Sequence, residues 1–430
     1  LKQKRSNTDV LIVDASKGFI KVGKNNKLRA SDIKRIVDVV TKRESVQKFS
    51  KVVSRDEIRK NEYNLNIPRY VDSSEAAESW DIYASMFGGL PLSEIDELKE
   101  YWIAFPELRN ALFENTSSAY CNLRVESIKK AIKEHSDVCS FENKYRDVFS
   151  GFDEYLYDEL IEKMTALNIS KAEATLSANI FERLKDIPLV DKYEAYQLLD
   201  DDWTKIAVDL EIIQTEGFEA TKRVDPNMVI KKKDGKEQEV QEGWVGRIIP
   251  FDLIQDTLLS DDKAALKAKE NRLSEIASEY EELFDSLTEE EKEGDYASED
   301  GFVNAEIKKA LKSDSVEPET KEKLRKVDAL AKEEKELKAA IKKDAGLLEG
   351  KTKETIESLS DEQVIDLLKD KWITPLIQNL MKLPDSIVNE LVSKLEALTK
   401  KYETTFAEVE AQISETENTL SAMIDELEGN

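Results

Sequence analysis

Side chains that ordinarily make and break bonds are scarce in this chain. His135 is its single histidine, and Cys121 and Cys139 are its two cysteines. One histidine leaves no two-histidine metal site and no HExxH helix, and the thiols lack zinc-finger spacing even with His135 between them. His135 follows a helical segment at 126–134, where the negative end of the helix dipole suits a surface imidazole. Asp200, Asp201 and Asp202 are consecutive, so on a helix their carboxylates point apart; they read as a solvated acidic turn rather than a metal site. Tyr101, Trp102, Phe105 and Phe113 have the spacing either to stack on bases or to fill one helical face, and a core role is expected. No GxxxxGK[ST] loop or GxGxxG turn occurs, and Phe87-Gly-Gly-Leu-Pro91 lacks the strand-to-helix setting of a phosphate cradle. No catalytic, cofactor-binding or metal-ligating residue is therefore assigned.

What the chain does carry is an uneven charge. Its 64 basic and 90 acidic side chains leave −26 over 430 residues. Residues 1–70 hold 18 basic against 8 acidic groups, a net of +10, so the remaining 360 sum to −36. A basic module joined to an acidic one points to an anionic partner at the amino-terminal end. Lys17, Lys21, Lys24, Lys27 and Arg29 are the candidate phosphate contacts, the alternative being that they only solvate their own elements. No apolar run approaches the roughly 18 residues of a membrane span. Two cysteines make no disulfide scaffold, so a cytoplasmic setting is expected. Leu1 stands where a methionine is usual and no signal-peptide core follows, which suggests a piece of a longer protein.

The elements that would position these residues follow from periodicity. Asp9-Val-Leu-Ile-Val-Asp14 reads as a buried strand of an α/β sheet, and Phe49-Ser-Lys-Val-Val-Ser54 as a second strand. Between them Ser31 caps a helix with Ile33, Ile36, Val37 and Val40 on one face, and Ser54 starts a short helix. Three asparagines and Pro68 make 61–71 an extended loop. Residues 72–262 are mostly helical, with segments near 92–105, 107–113, 126–134, 141–167, 171–184 and 192–210, and a hairpin near 228–240 turning at Asp234-Gly235. Beyond 262, Leu266, Leu273, Ile276, Tyr280, Leu283 and Leu287 form one coiled-coil seam, and Leu324, Val327, Leu330, Leu337 and Ile341 a shorter one. Leu391, Leu395, Leu398, Tyr402, Phe406, Val409, Ile413, Leu420, Ile424 and Leu427 make the longest, over about five heptads. Glycines and prolines between the seams predict helices that return on one another. The fold class is thus mainly α, with expected domains 1–71, 72–262 and 263–430, the last an antiparallel coiled-coil arm.

Several of these segments, in this order and spacing, resemble the end of the methylase domain in modification subunits of type I restriction-modification systems. The likeness rests on Asp9-Val-Leu-Ile-Val-Asp-Ala-Ser-Lys17, Asn26-Lys-Leu28, Phe49-Ser-Lys-Val-Val-Ser54 and above all Tyr63-Asn-Leu-Asn-Ile-Pro-Arg-Tyr-Val71. It continues, less specifically, through Gly88-Gly-Leu-Pro91, Glu94-Ile-Asp96, Tyr101-Trp102, Phe105-Pro-Glu-Leu-Arg109, Leu112-Phe113 and Lys369-Asp-Lys-Trp372, which look like the tail of the longer members.

The resemblance implies that residues 1–71 are the carboxyl-terminal edge of a Rossmann-like methyltransferase domain. It also implies a parent that methylates adenine N6 in DNA with S-adenosylmethionine. Implied partners are a specificity subunit, a restriction subunit with translocase and nuclease activity, and double-stranded DNA, in a bacterial or archaeal cytoplasm. The family's Asn-Pro-Pro-aromatic motif and its glycine-rich cofactor turn do not occur in this sequence, so the chain alone is expected to be inactive and to hold no cofactor. Helical carboxyl-terminal regions of the family dock on the specificity subunit. This makes Leu391, Leu395, Leu398, Tyr402, Phe406, Val409, Ile413 and Leu420 the candidate partner seam, with an internal antiparallel coiled coil as the competing arrangement. Asn64, Asn66 and Arg69 are expected to fix the loop between domains or meet a partner. A stand-alone acidic coiled-coil scaffold is the alternative from another class.

Overall fold

β-Branched residues favour extended backbone, and Val10–Val13 and Ser50–Val53 are strands as expected. The computed structural model describes residues 7–74, 79–233, 236–298, 301–313 and 316–428. In it these strands pair antiparallel, Val10 opposite Val53 and Val13 opposite Ser50, and no third strand joins them among the described residues. The α/β sheet expected here is therefore a two-stranded ribbon, covered on one side by Ile58, Tyr70 and Val71. Ser54 caps Arg55–Lys60 by accepting from the Glu57 N–H at 3.2 Å, as expected. The 61–71 loop contains one 3-10 turn, Ile67–Arg69, and Tyr70 anchors it by donating to the Asn64 carbonyl at 2.6 Å.

The helix after the first strand differs from expectation in two ways. It runs Ala30–Lys42 with Arg29 at the cap, so Ser31 lies inside its first turn; the Asp32 carboxylate accepts from the Arg29 N–H at 2.8 Å. Ile33, Val37 and Val40, read as its core face, are exposed. Val39 is buried and Ile36, the fourth residue of that face, is half-buried; the polar side packs as well. Arg29 pairs with Glu194 at 2.9 Å, the Ser31 N–H donates to Gln197 at 3.0 Å, and the Arg35 guanidinium lies 4.5 Å from the Phe49 ring and 5.6 Å from the Tyr193 ring.

From residue 79 onward the expected long helices are shorter. The 92–105 segment is Leu92–Asp96 and Lys99–Ala104, and the 141–167 segment breaks at Gly151, which takes a φ of +67° open to glycine. Leu90–Pro91, Tyr120–Leu123 and Phe113–Asn115 form a three-stranded sheet with Tyr120–Leu123 in the middle, lying mostly between the expected helical segments, where no strand was expected. Strands of two to four residues are too short for a period-two pattern to register. Tyr101, Phe105 and Phe113 are core, and the Trp102 indole N–H donates to the Ile95 carbonyl at 2.7 Å. His135 does not end a helix into solvent. It caps the next one, Ser136–Val148, its Nδ1 accepting from the Asp137 N–H at 3.2 Å, because no residue separates the two helices but Glu134 and His135 themselves. The three aspartates sit on the helix Lys192–Glu216 rather than in a turn, and burial pushes the Asp200 and Asp202 carboxyls up.

The chain divides into two compact units, Leu1–Val208 with Trp372–Asn430, and Asp209–Lys371. These cut the chain at places other than 71/72 and 262/263. In the first unit, Leu383–Lys401 returns to pack on Ile128–Lys133 and Ser136–Val148, burying Val388, Leu391, Val392 and Leu395, and Tyr145 donates to the Leu380 carbonyl at 2.8 Å.

The second unit contains the hairpin, which is longer than expected: Val224–Lys233 pairs with Lys236–Gly246. The Asp234-Gly235 turn lies outside the described residues. Trp244 ties the hairpin to the helix Pro318–Glu357: its N–H donates to Glu349 at 2.9 Å, and Lys353 sits 3.5 Å from its ring centroid. Ser260–Asp285 lies antiparallel to that helix, as the order of its pairs shows: Asp262 with Lys351, Lys269 with Asp344 and Tyr280 with Glu334. Ile276, Leu324, Val327 and Leu330 are buried on these helices, so the first two seams are largely covered within the unit.

Glu291 fastens a short turn to the same long helix. Burial raises its carboxyl pKa, but the Thr320 hydroxyl, the Thr288 N–H at 2.7 Å and the Lys323 ammonium at 2.9 Å more than offset this, taking it to about 2. Because the folded value is below the unfolded one, the stabilisation is complete above about pH 4.3 and disappears as pH falls towards 2. Glu291→Gln is expected to lower the stability of this unit by about 1–3 kcal/mol at pH 7 and by little at pH 2. Calorimetric scans of both chains across that interval check it. Among the described residues no helix is long and apolar enough to cross a membrane.

Candidate functional site

The longest seam has two fates in the first unit. Its helix ends at Lys401, and a second, Phe406–Glu428, begins after a four-residue break. Before the break Leu391 and Leu395 are buried and Leu398 is half-buried, and Tyr402 is buried within it; after it Phe406, Val409, Ile413 and Leu420 are exposed. Among the described residues no coiled-coil partner buries the last four, and the short helix Ile82–Phe87 that packs on this one leaves them exposed. The period alone could not distinguish the halves.

Tyr402 and its neighbours hold the break in place. The Tyr402 hydroxyl accepts from the Asp81 N–H at 2.9 Å and donates to the Glu94 carboxylate. Lys401 reaches the same carboxylate at 2.9 Å and the Ser79 carbonyl at 2.5 Å. Burial pushes the Lys401 ammonium down, and its bonds to Glu94 and Tyr402 outweigh this, leaving it above the ordinary lysine value. Thr405 and Glu408 then form a reciprocal cap: the Thr405 hydroxyl accepts from the Glu408 N–H at 3.2 Å, and the Glu408 carboxylate accepts from the Thr405 N–H at 2.9 Å.

Beside this junction lies a second apolar element that sequence reasoning missed. Asp81 caps the helix Ile82–Phe87 through the Ala84 N–H at 2.8 Å and accepts from Tyr120 at 3.1 Å. That helix packs against Phe406–Glu428, yet Trp80, Ile82, Tyr83 and Phe87 remain exposed, Ile82 at 76%. The available signal was density rather than period. Trp80-Asp-Ile-Tyr-Ala-Ser-Met-Phe87 is apolar at six of eight positions, more than one buried face of a six-residue helix needs.

The basic residues occupy a different surface. Ile20–Val22 and Asn25–Lys27 form an exposed hairpin, turned by Gly23 at φ +61° with Lys24 beside it. A two-residue turn with positive φ at its first position suits glycine and continues the strand twist. Lys21 lies opposite Asn26 and Lys27 opposite Ile20, so the two lysines project from opposite faces of the ribbon. Lys17 is exposed just before it. The Arg29 guanidinium pairs with Asp32 and Glu194, so a phosphate would have to compete with two carboxylates for it. Asn64, Asn66 and Arg69 are exposed; the Asn64 side chain accepts from the Asn66 N–H at 2.9 Å, a bond within the loop rather than to another domain.

Among the described residues no three His, Cys, Asp or Glu side chains are grouped to hold a metal. Asp14, the acid at the end of the first strand, already accepts from the Ser73 hydroxyl at 2.5 Å and the Ser16 N–H at 3.0 Å, which hold its carboxyl below the usual range.

Comparison with known proteins gives the class first. The model of the N-6 DNA Methylase family matches residues 1–79. More narrowly, the chain is 36% identical over 83 residues to the type I restriction enzyme MpnII methylase subunit of Mycoplasma pneumoniae, an overlap covering 19% of this chain and 15% of that protein. It is 38% identical over 94 residues to the MjaVII methylase subunit of Methanocaldococcus jannaschii, covering 21% of this chain and 15% of that one. Among solved structures, a type I restriction-modification methyltransferase subunit from Streptococcus thermophilus shares 44% identity over 17% of this chain and 16% of its own, with a TM-score of 0.17. The amino-terminal segment is therefore similar to type I methylase subunits, and the chain spans about 15% of the length of the curated relatives it matches.

Proposed function

We propose that this chain serves as the carboxyl-terminal part of a type I restriction-modification adenine-N6 methylase subunit. It would act in assembly with the specificity subunit and in clamping the DNA complex, without contributing the methyl-transfer motifs. The parent would use S-adenosylmethionine in a bacterial or archaeal cytoplasm and work beside a restriction subunit. The observation that carries the assembly role is the exposed apolar stripe of Phe406–Glu428 in the same compact unit as the methylase-like residues 1–79. A self-contained acidic scaffold has no use for the similarity of residues 1–79 to methylases, which favours the methylase-linked role.

Two expected outcomes test it together. Ile413→Asp/Leu420→Asp in the full chain is expected to lose the specificity subunit on co-purification while circular dichroism stays unchanged, since both side chains are already in water; retention of the subunit refutes the assembly role. For the DNA role, Lys21→Ala/Lys24→Ala/Lys27→Ala in the assembled complex is expected to reduce the slope of log affinity against log salt by roughly 2–3. An unchanged slope removes the hairpin from the DNA interface. Lysines on both faces and at the tip of a ribbon match a groove with a phosphate wall on each side better than a flat surface.

A further inference from the structure

We propose that the partner received by Phe406–Glu428 is an amphipathic helix with basic flanks, and that the same acidic helix excludes a second copy of this chain. This rests on the docking role above and adds the chemistry of the occupant.

Phe406, Val409, Ile413, Thr416, Leu420, Met423 and Leu427 step by threes and fours without interruption, the seam of a heptad repeat over about three turns of the pattern. A helix of this kind is about 34 Å long, enough for a two-helix interface with a stretch of similar length. Ile413 is 54% exposed, Leu420 57% and Met423 58%, and Ile82, Tyr83 and Phe87 extend the apolar surface at the amino-terminal end.

Charge selects among the possible occupants. The helix contains Glu408, Glu410, Glu415, Glu417, Asp425, Glu426 and Glu428, and no lysine, arginine or histidine. Glu408 is taken up by the cap, but Glu410 and Glu417, seven residues apart, line one edge of the stripe where flanking charges set partner choice. A second copy would set a helix with seven acids and no base against an identical one, with Glu410 and Glu417 facing each other in the antiparallel arrangement, and an anionic lipid surface would be repelled by the same charge. A helix carrying lysine or arginine beside its own apolar seam turns each repulsion into an attraction and gains in encounter rate.

The test uses the full chain with two probes, the specificity subunit and a pair of synthetic three-heptad peptides with leucine seams, one flanked by lysine and one by glutamate. The lysine peptide is expected to bind. Ile413→Asp/Leu420→Asp should abolish that binding, and Glu410→Lys/Glu417→Lys should weaken it by about threefold to tenfold, as should raised salt. The glutamate peptide should not bind, the chain alone should sediment as a monomer, and phosphatidylglycerol vesicles should not retain it. Binding of both peptides alike, binding of the lysine peptide that survives the Ile413/Leu420 change, a dimer of the chain abolished by that change, or capture by the vesicles would each overturn the proposal. If the specificity subunit binds through Ile413 and Leu420 but ignores salt and Glu410→Lys/Glu417→Lys, the docking role stands and the charge rule falls. If only the lysine peptide binds, the charge rule stands and the specificity subunit is the wrong partner.

Discussion

Leu391→Ala is expected to destabilise the first unit by about 2–5 kcal/mol, and Ile413→Ala by no more than about 0.5 kcal/mol, although both leucine-sized side chains belong to one seam in the sequence. Leu391 is fully buried on a helix packed against Ile128–Lys133 and Ser136–Val148, so its truncation removes apolar burial and leaves a cavity that rigid neighbours only partly close. Ile413 has no such neighbours, and trimming it takes away side-chain surface that already faces water. Chemical denaturation of the two chains, followed by tryptophan fluorescence, reads the contrast. Comparable losses would mean that the last helix is packed, and the docking surface would then not exist.

The second large effect is expected in the other unit. Lys371 places its ammonium 2.5 Å from the Asp209 carboxylate and 2.5 Å from the Ile248 carbonyl, and Asp209 is almost wholly buried. The lysine side chain is partly exposed, but losing its ammonium still takes the counter-ion from the nearly buried Asp209 carboxylate, so Lys371→Met is expected to cost about 3 kcal/mol, the low end of the range for a buried pair. Asp209→Leu/Lys371→Met removes both charges together and should recover most of that loss, because an apolar pair avoids the desolvation penalty. Equilibrium unfolding of the two single variants and the double variant closes the cycle. A double variant no more stable than Lys371→Met would show that packing around Lys371, rather than the charge, sets its importance. The result also gives a structural meaning to Lys369-Asp-Lys-Trp372: within it Lys371 is a tether and Trp372 is buried.

How much of this was legible beforehand varied with the range of the interaction involved. Ser54 as a helix cap, the non-helical 61–71 loop and the core role of Tyr101, Phe105 and Phe113 rest on local propensity and burial of aromatic area, and the structure has them. The antiparallel pairing of Ser260–Asp285 with Pro318–Glu357 follows from two apolar stripes separated by breakers. The three-stranded sheet around Tyr120–Leu123 was not legible, since its strands are held by partners as distant as Leu90 is from Cys121 rather than by their own pattern. Arg29 was assigned to DNA on charge alone; its pairing with Glu194 depends on a helix that approaches only after folding.

The sequence by itself determined that the seam from Leu391 to Leu427 would be helical and amphipathic, that residues 1–71 would resemble the end of a methylase domain, and that acid would predominate beyond them. Helical period and charge are carried by each segment alone. Only the tertiary structure decided that the same stripe is buried at Leu391 and Leu395 and open at Ile413 and Leu420. Periodicity states which face a helix would bury. Whether anything arrives to bury it depends on surfaces brought in from elsewhere in the chain, here the helices at 128–148 for one half and only the short Ile82–Phe87 helix for the other.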